Sequence, residues 1–300
     1  MIIDRFGFLP CDWTFEFDGG EICPIPEIDE IRKRVDEYIN EDGFLYPPLS
    51  HRVRLEPKID RVVEKIPGTE RPAHLHRVPP SHELRLRLSS TVEEARKGPG
   101  AFILHLLAYL FGVRLQFHDW WFDSRVPIRM GQTHNIYPNK ATVEHFLSHC
   151  YRVWESWSAE EQKLIINLLF MHSRAPSYEW DWERFAIEYM VFDGCWKLAK
   201  QKHGVKNARH SDRIRVACQS FGIPFDNNLA RKIVNLRNEL FHETLWDRLQ
   251  PCTAVSVDAF QQPNSLRQLN QRLIPALLGY DNQYVHSLWW SLSSKLFDKP

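Results

Sequence analysis

Arg237, Asn238 and His242 are the residues whose types and spacing best match a chemical task. A histidine removes or donates a proton near neutral pH. An arginine fork stabilises phosphate oxygens as negative charge builds on them. RNA carries its own nucleophile, the 2′-OH beside each phosphate. Cleaving it without a metal needs proton transfer, charge stabilisation and an in-line geometry. The spacing sets a condition. Asn238 and His242 are four apart and share one face of a helix. Arg237 and His242 are five apart, about 140° round an ideal helix. From a straight helix they cannot both address one phosphate. Either the long Arg237 side chain reaches round, or the helix is distorted, or two copies of the chain combine.

The element that must carry these residues is the stretch from Leu229 to His242, expected as one helix. Leu229, Ile233, Leu236 and Leu240 fall within roughly 60° of one another on the wheel and face a core. Arg231, Asn235, Asn238 and His242 form a second stripe on the opposite face, with Arg237 between the two. Asp226 or Asn227 is the expected N-cap. Two other Arg-x4-His spacings occur, Arg71 to His76 and Arg129 to His134. Pro72 interrupts the first and Gly131 the second, so neither suits a regular helix.

The run Leu236-Arg237-Asn238-Glu239-Leu240-Phe241-His242 resembles the R-polar-x-x-x-H motif of HEPN ribonucleases, and the "LRN…H" helix of their Apea-like branch, which is associated with prokaryotic antiphage defence. The order over about 140–250 is similar too: a long aromatic helix, a loop, "RI…FGI", then "LRN…H". The resemblance implies His242 as general acid/base, Arg237 as phosphate clamp and Asn238 as the orienting polar group, with products ending in 2′,3′-cyclic phosphate and 5′-OH. It also implies a homodimer with the two motifs facing one cleft, so Arg231, Asn235, Asn238 and His242 would line or flank the interface. Glu188 and Asp193, on the long aromatic helix, are supporting candidates, or else ordinary capped or solvated carboxylates. Relatives paired with a nucleotidyltransferase commonly carry Tyr two residues after the His. Thr244 stands there, so control by modifying that Tyr is not expected.

Lys202, Lys206, Arg209 and His210 gather just before the motif helix and would guide a phosphate backbone, or form an ordinary loop cluster. The chain of 300 residues has formal net charge zero and pI about 7.2, which argues against non-specific coating of nucleic acid. Six Cys without a C-x-x-C pair argue against a zinc knuckle or redox motif and fit free thiols in a reducing cytoplasm. His145 and His149 are four apart, but no third ligand of the right kind accompanies them. No phosphate-binding glycine loop and no serine nucleophile elbow are present. No cofactor, metal or membrane span is therefore expected, and the N-terminus has no signal-peptide pattern.

The expected fold class is α+β: a mixed α/β N-terminal module over 1–138, for recognition or regulation, then an all-α HEPN-like helical bundle over 139–300. Phe15 and Phe17 alternate before a turn at Asp18-Gly19-Gly20. Leu84 to Leu88 alternates as a strand whose Arg85 and Arg87 face would contact phosphate or simply be solvated. Ile31 to Ile39 suits a short helix. Ala101 to Phe111 is an apolar helix closed by Gly112, followed by an aromatic stretch through Trp121 and Phe122. Helices are expected over 141–157, from a capping box at Ser158 to about 173, over 181–202 ending at Gly204, and from His210 to Gly222. Leu266 to Leu278 and Asp281 to Leu296 read as two closing helices. The implied function is metal-independent RNA endonuclease activity, in defence or toxin-like arrest, with RNA and a regulatory protein or phage trigger as partners. A non-catalytic RNA- or nucleotide-binding sensor, or a partner-binding subunit, is the alternative.

Overall fold

Alternating apolar and polar residues build the N-terminal sheet. The computed structural model describes residues 1–45, 78–120, 124–130, 136–253, 256–291 and 295–300, with the backbone of a hairpin at 51–56 and 59–65. Strands β1 (Ile2–Gly7), β2 (Phe15–Phe17) and β3 (Gly20–Pro24) precede helix α1 (Ile28–Tyr38). Short strand β4 (Phe44–Leu45), hairpin strands β5 (His51–Glu56) and β6 (Ile59–Lys65), and β7 (His82–Leu86) follow. Next come α2 (Val92–Lys97), α3 (Pro99–Phe111), β8 (Gln116–Phe117), β9 (Val126–Pro127) and β10 (Ile136–Pro138). The main sheet is antiparallel in the order β2-β3-β7-β1-β8. Ile2, Phe6, Ile22, Leu84 and Leu86 point to its buried face. On the other face Arg85 is held by Glu21 at 2.9 Å and Glu83 at 3.1 Å, which neutralises half of the expected basic strand face.

The C-terminal region is mainly helical: α4 (Lys140–Glu155), α5 (Ala159–Arg174), α6 (Asp181–His203), α7 (Arg213–Ser220), α8 (Asn227–Asn238) and α9 (Val257–Leu277). The fold class is thus α+β. Local signals set the helix ends. The Asn139 side chain caps α4, and Ser158 and Glu161 form the capping box of α5. Gly112 and Gly204 close α3 and α6 at φ 63° and 61°, the left-handed conformation that glycine adopts without strain. One apolar cluster runs from Ile2 to Phe297, so elements on both sides of residue 138 share a core. Phe102 stacks on Trp154 across that point, and β10 pairs in parallel with a last short strand, β11 (Lys295–Phe297).

Three segments depart from the sequence reading. The expected closing helix over 281–296 is absent: 281–291 is a series of turns, and 295–297 is β11. Several of its polar groups bond to residues outside it. Buried Arg272 of α9 donates to the Ser287 and Leu288 carbonyls at 2.9 and 3.1 Å, and the Trp289 indole donates to Pro224 O at 2.8 Å. The region after 138 is therefore not all-α. Helix α9 starts nine residues before the expected Leu266, capped by Ser256, and runs on through Pro263. The motif helix stops being an α-helix at Asn238. Among the described residues no helix is long and apolar enough to cross a membrane.

Candidate active site

The Asp226 carboxylate starts α8 by accepting the Leu229 N–H at 2.8 Å. The packed face falls where the periodicity places it. Ile233 and Leu236 are buried, Leu229 and Leu240 half-buried against the core, and Arg231, Asn235, Asn238 and His242 exposed. After Asn238 the helix widens into one π turn, Glu239–Glu243. Thr244, at φ 59°, closes it by sending its N–H back to Glu239 O, and the Leu245 N–H reaches the same oxygen at 3.0 Å.

The π turn answers the spacing problem. Its hydrogen bonds link residues five apart, so it draws such positions toward one side. Arg237 Nη1 lies 2.7 Å from His242 Nε2 and 3.1 Å from Asn238 Oδ1. Arginine only donates, so His242 Nε2 accepts and keeps its lone pair pointed at the guanidinium. The neutral ring then carries its proton on Nδ1.

Two aromatic rings hold Arg237 in place. Its guanidinium sits 5.4 Å from the Phe241 ring centre and 5.8 Å from that of Tyr189 on α6, and the two rings meet edge to face. The Tyr189 hydroxyl is hydrogen-bonded to His210 Nε2 at 2.7 Å. Four residues along α6, Asp193 accepts from Arg213 at 2.9 Å. Burial lowers the pKa of His210, and the charges of Arg237 and Arg213 add to that against Asp193. Burial raises the pKa of Tyr189, so its hydroxyl stays protonated. The arrangement presents an acceptor nitrogen beside a fixed guanidinium, with a second, neutral imidazole behind the tyrosine.

The structure therefore brings Arg237, Asn238 and His242 together, with His210 beside them and Asp193 one step out through Arg213. Glu188 lies elsewhere. It is 1% exposed and accepts from Arg267 at 2.6 Å, His172 Nδ1 at 3.0 Å and Asn270 at 2.8 Å. Burial works to raise its pKa, but His172, Arg267 and Asn270 together hold it below the usual carboxylate range. It pins α6 to α5 and α9, and leaves Tyr189, the next residue, to reach Arg237. Replacing Arg267 with Met strands that carboxylate in the core, and a urea melt is expected to show a loss of about 3–5 kcal/mol. A loss under about 1 kcal/mol would mean that Glu188 does not need the pair.

The other candidates spread out. Lys202 pairs with Glu161 at 3.2 Å and lies over Trp157. Lys206 lines an open cleft with His203 and His286 on another side, and Arg209 is exposed at the start of the His210 turn. Arg231 is exposed. Asn235 faces a shallow pocket with Glu239, Arg248 and Lys232, the last paired with Asp258 at 2.7 Å. His145 bonds the Tyr280 hydroxyl and His149 the Leu278 carbonyl. No group of three or more metal-ligating side chains occurs among the described residues. The spacings Arg71–His76 and Arg129–His134, and Trp121 and Phe122, lie in whole or in part outside the described residues. The sequence alone does not mark Tyr189, Phe241 or Arg213 as members of this group. There Tyr189 is legible only as one member of the aromatic stripe of α6. No family model, curated protein or solved structure matches the chain.

Proposed function

We propose that the chain is a metal-independent RNA endonuclease of the HEPN type, acting in antiphage defence or toxin-like arrest. The observation that carries this reading is the 2.7 Å contact of Arg237 Nη1 with His242 Nε2 across a π turn. His242 Nε2 takes the proton of a 2′-OH, and that oxygen attacks the adjacent phosphorus. The P–O5′ bond breaks, leaving a 2′,3′-cyclic phosphate and a 5′-oxygen that takes up a proton to become the 5′-OH. The Arg237 guanidinium, kept between Phe241 and Tyr189, exchanges its bond to His242 for the non-bridging oxygens and offsets their growing charge. His210 is tied up behind Tyr189, so the second proton transfer falls to the His242 of a partner copy, in keeping with a homodimer through this face. Phe241, 45% exposed beside the dyad, is the apolar group that such an interface would cover.

A DNA strand with one ribonucleotide tests the reading. Cleavage is expected only on the 3′ side of the ribonucleotide; cleavage at deoxynucleotides would remove the 2′-OH mechanism. Tyr189→Phe keeps the ring under Arg237 and loses only the His210 bond, so it should cost less than about tenfold in rate. A drop as large as that of Arg237→Ala, in the same assay, would place the Tyr189 hydroxyl in the chemistry. A non-catalytic RNA- or nucleotide-binding sensor is the second reading. It draws on one observation: the nitrogen that would take the proton is occupied by Arg237 in the free chain.

A further inference from the structure

Helix α3 is buried on every side, and among its apolar residues stands one histidine, His105. Its Nδ1 is buried without a hydrogen-bond partner. Phe or Leu would fill the same place without leaving a polar atom unsatisfied. The ring is not sealed in the core, because His105 lines a cleft of about 640 Å³. That size lies within the range of small-ligand sites, about 300–1,000 Å³.

The walls have a consistent chemistry. Trp154 is fixed by stacking on Phe102, Phe170 meets His105 edge to face at 5.4 Å, and Trp120 is partly exposed at the cleft. Lys163, Asn167 and Phe170 also line the cleft and, three or four residues apart on α5, share one face. Arg96, also in the lining, is neutralised by Asp4 and Asp119. Lys163 and Asn167 are exposed, and their side chains form no ion pair or hydrogen bond with a described residue. Burial, helped by the Arg114 charge, pulls the His105 pKa down to about 4, so the ring meets a ligand as a neutral hydrogen-bonding group.

We propose that this cleft binds a mononucleotide, with the base stacked among the aromatic walls, its polar edge at the His105 ring and Asn167, and its phosphate at Lys163. Each part of the ligand answers one feature: a flat ring for the aromatic rings, a hydrogen-bonding edge for the imidazole and Asn167, an anion for Lys163. The site lies among α2, α3, α4 and α5 and is independent of the ribonuclease reading.

The test is a titration of the full chain with the nucleoside 5′-monophosphates, the matching nucleosides and inorganic phosphate, followed by tryptophan fluorescence and calorimetry. At least one monophosphate is expected to saturate, about tenfold or more tighter than its nucleoside and than phosphate. Lys163→Gln should bring the monophosphate down to the affinity of its nucleoside. His105→Phe should weaken it about tenfold or more while the melting temperature holds or rises, which separates a lost contact from a lost fold. No saturable binding by any monophosphate overturns the proposal. So does phosphate binding as tightly as the nucleotide, or undiminished binding by His105→Phe.

Discussion

His242→Ala is expected to lower RNA cleavage by about 10²–10⁴-fold, the range that one positioned proton-transfer group supplies. Arg237→Ala should fall by about 10²–10³-fold, as when one oxyanion donor is removed. Arg237→Lys should not restore the rate. An ammonium would neither lie flat on Phe241 and Tyr189 nor reach His242 and a phosphate oxygen as a fork does. The double variant should be hardly slower than the worse single one, because the two groups act on the same step. Folding is expected to be nearly untouched in His242→Ala, since the ring is exposed and at a helix end, where changes cost about 0.5 kcal/mol or less. Initial rates beside a thermal melt separate the two effects. His242→Ala with more than a tenth of the wild-type rate would take the histidine out of the mechanism.

The fold itself should be acid-labile, from three buried histidines. Burial lowers the pKa values of His82 and His105 to about 4, and that of His172 in the same direction with help from Arg267. In the unfolded chain each returns to about 6.5. Below that pH the unfolded state gains protons that the native state refuses, so stability falls as pH drops from about 6.5 toward 4. His82 and His105 each account for up to about 3 kcal/mol by pH 4. Glu188 acts in the next window: its folded value is lowered, so its contribution is present above its unfolded value and disappears as pH falls through the folded one. His286, raised by its bond to Gly222 and by Asp281, works the other way, but it is too exposed to matter much. Against a typical total of about 5–15 kcal/mol, the histidines alone bring the chain close to unfolding. Urea midpoints at pH 7.5, 6 and 5 should fall in that order, and His105→Phe should flatten the slope. Equal midpoints at pH 7.5 and 5 would mean that the three rings are not buried neutral.

Much of this fold is local in origin, and that part is legible in the sequence. Caps at Ser158, glycines at 112 and 204 and the aromatic stripe of α6 are short-range signals, and the elements end where they point. The packed and open faces of α8 follow from residue spacing alone. The turns over 281–291 do not, because Val285 and Trp289 mimic a helical stripe while the deciding bonds come from Arg272 on another element. Glu188 illustrates the same limit. Its composition suits an active site, yet one position on α6 separates the core network from the ring under Arg237, and only tertiary packing decides which residue faces which way. The π turn lies between these cases. Nothing in 239–243 breaks a helix, and the five-residue spacing of Arg237 and His242 names a distortion as only one of three ways for both to serve one phosphate.

The most direct measurement is incubation of the purified chain with a mixed RNA pool in EDTA, beside Arg237→Ala and His242→Ala, with the product ends typed chemically. Cleavage by the wild type alone, leaving 2′,3′-cyclic phosphate and 5′-OH ends, is the predicted result. Cleavage that survives both substitutions, or that stops when the metal is chelated, would contradict a metal-free centre at the Arg237–His242 pair.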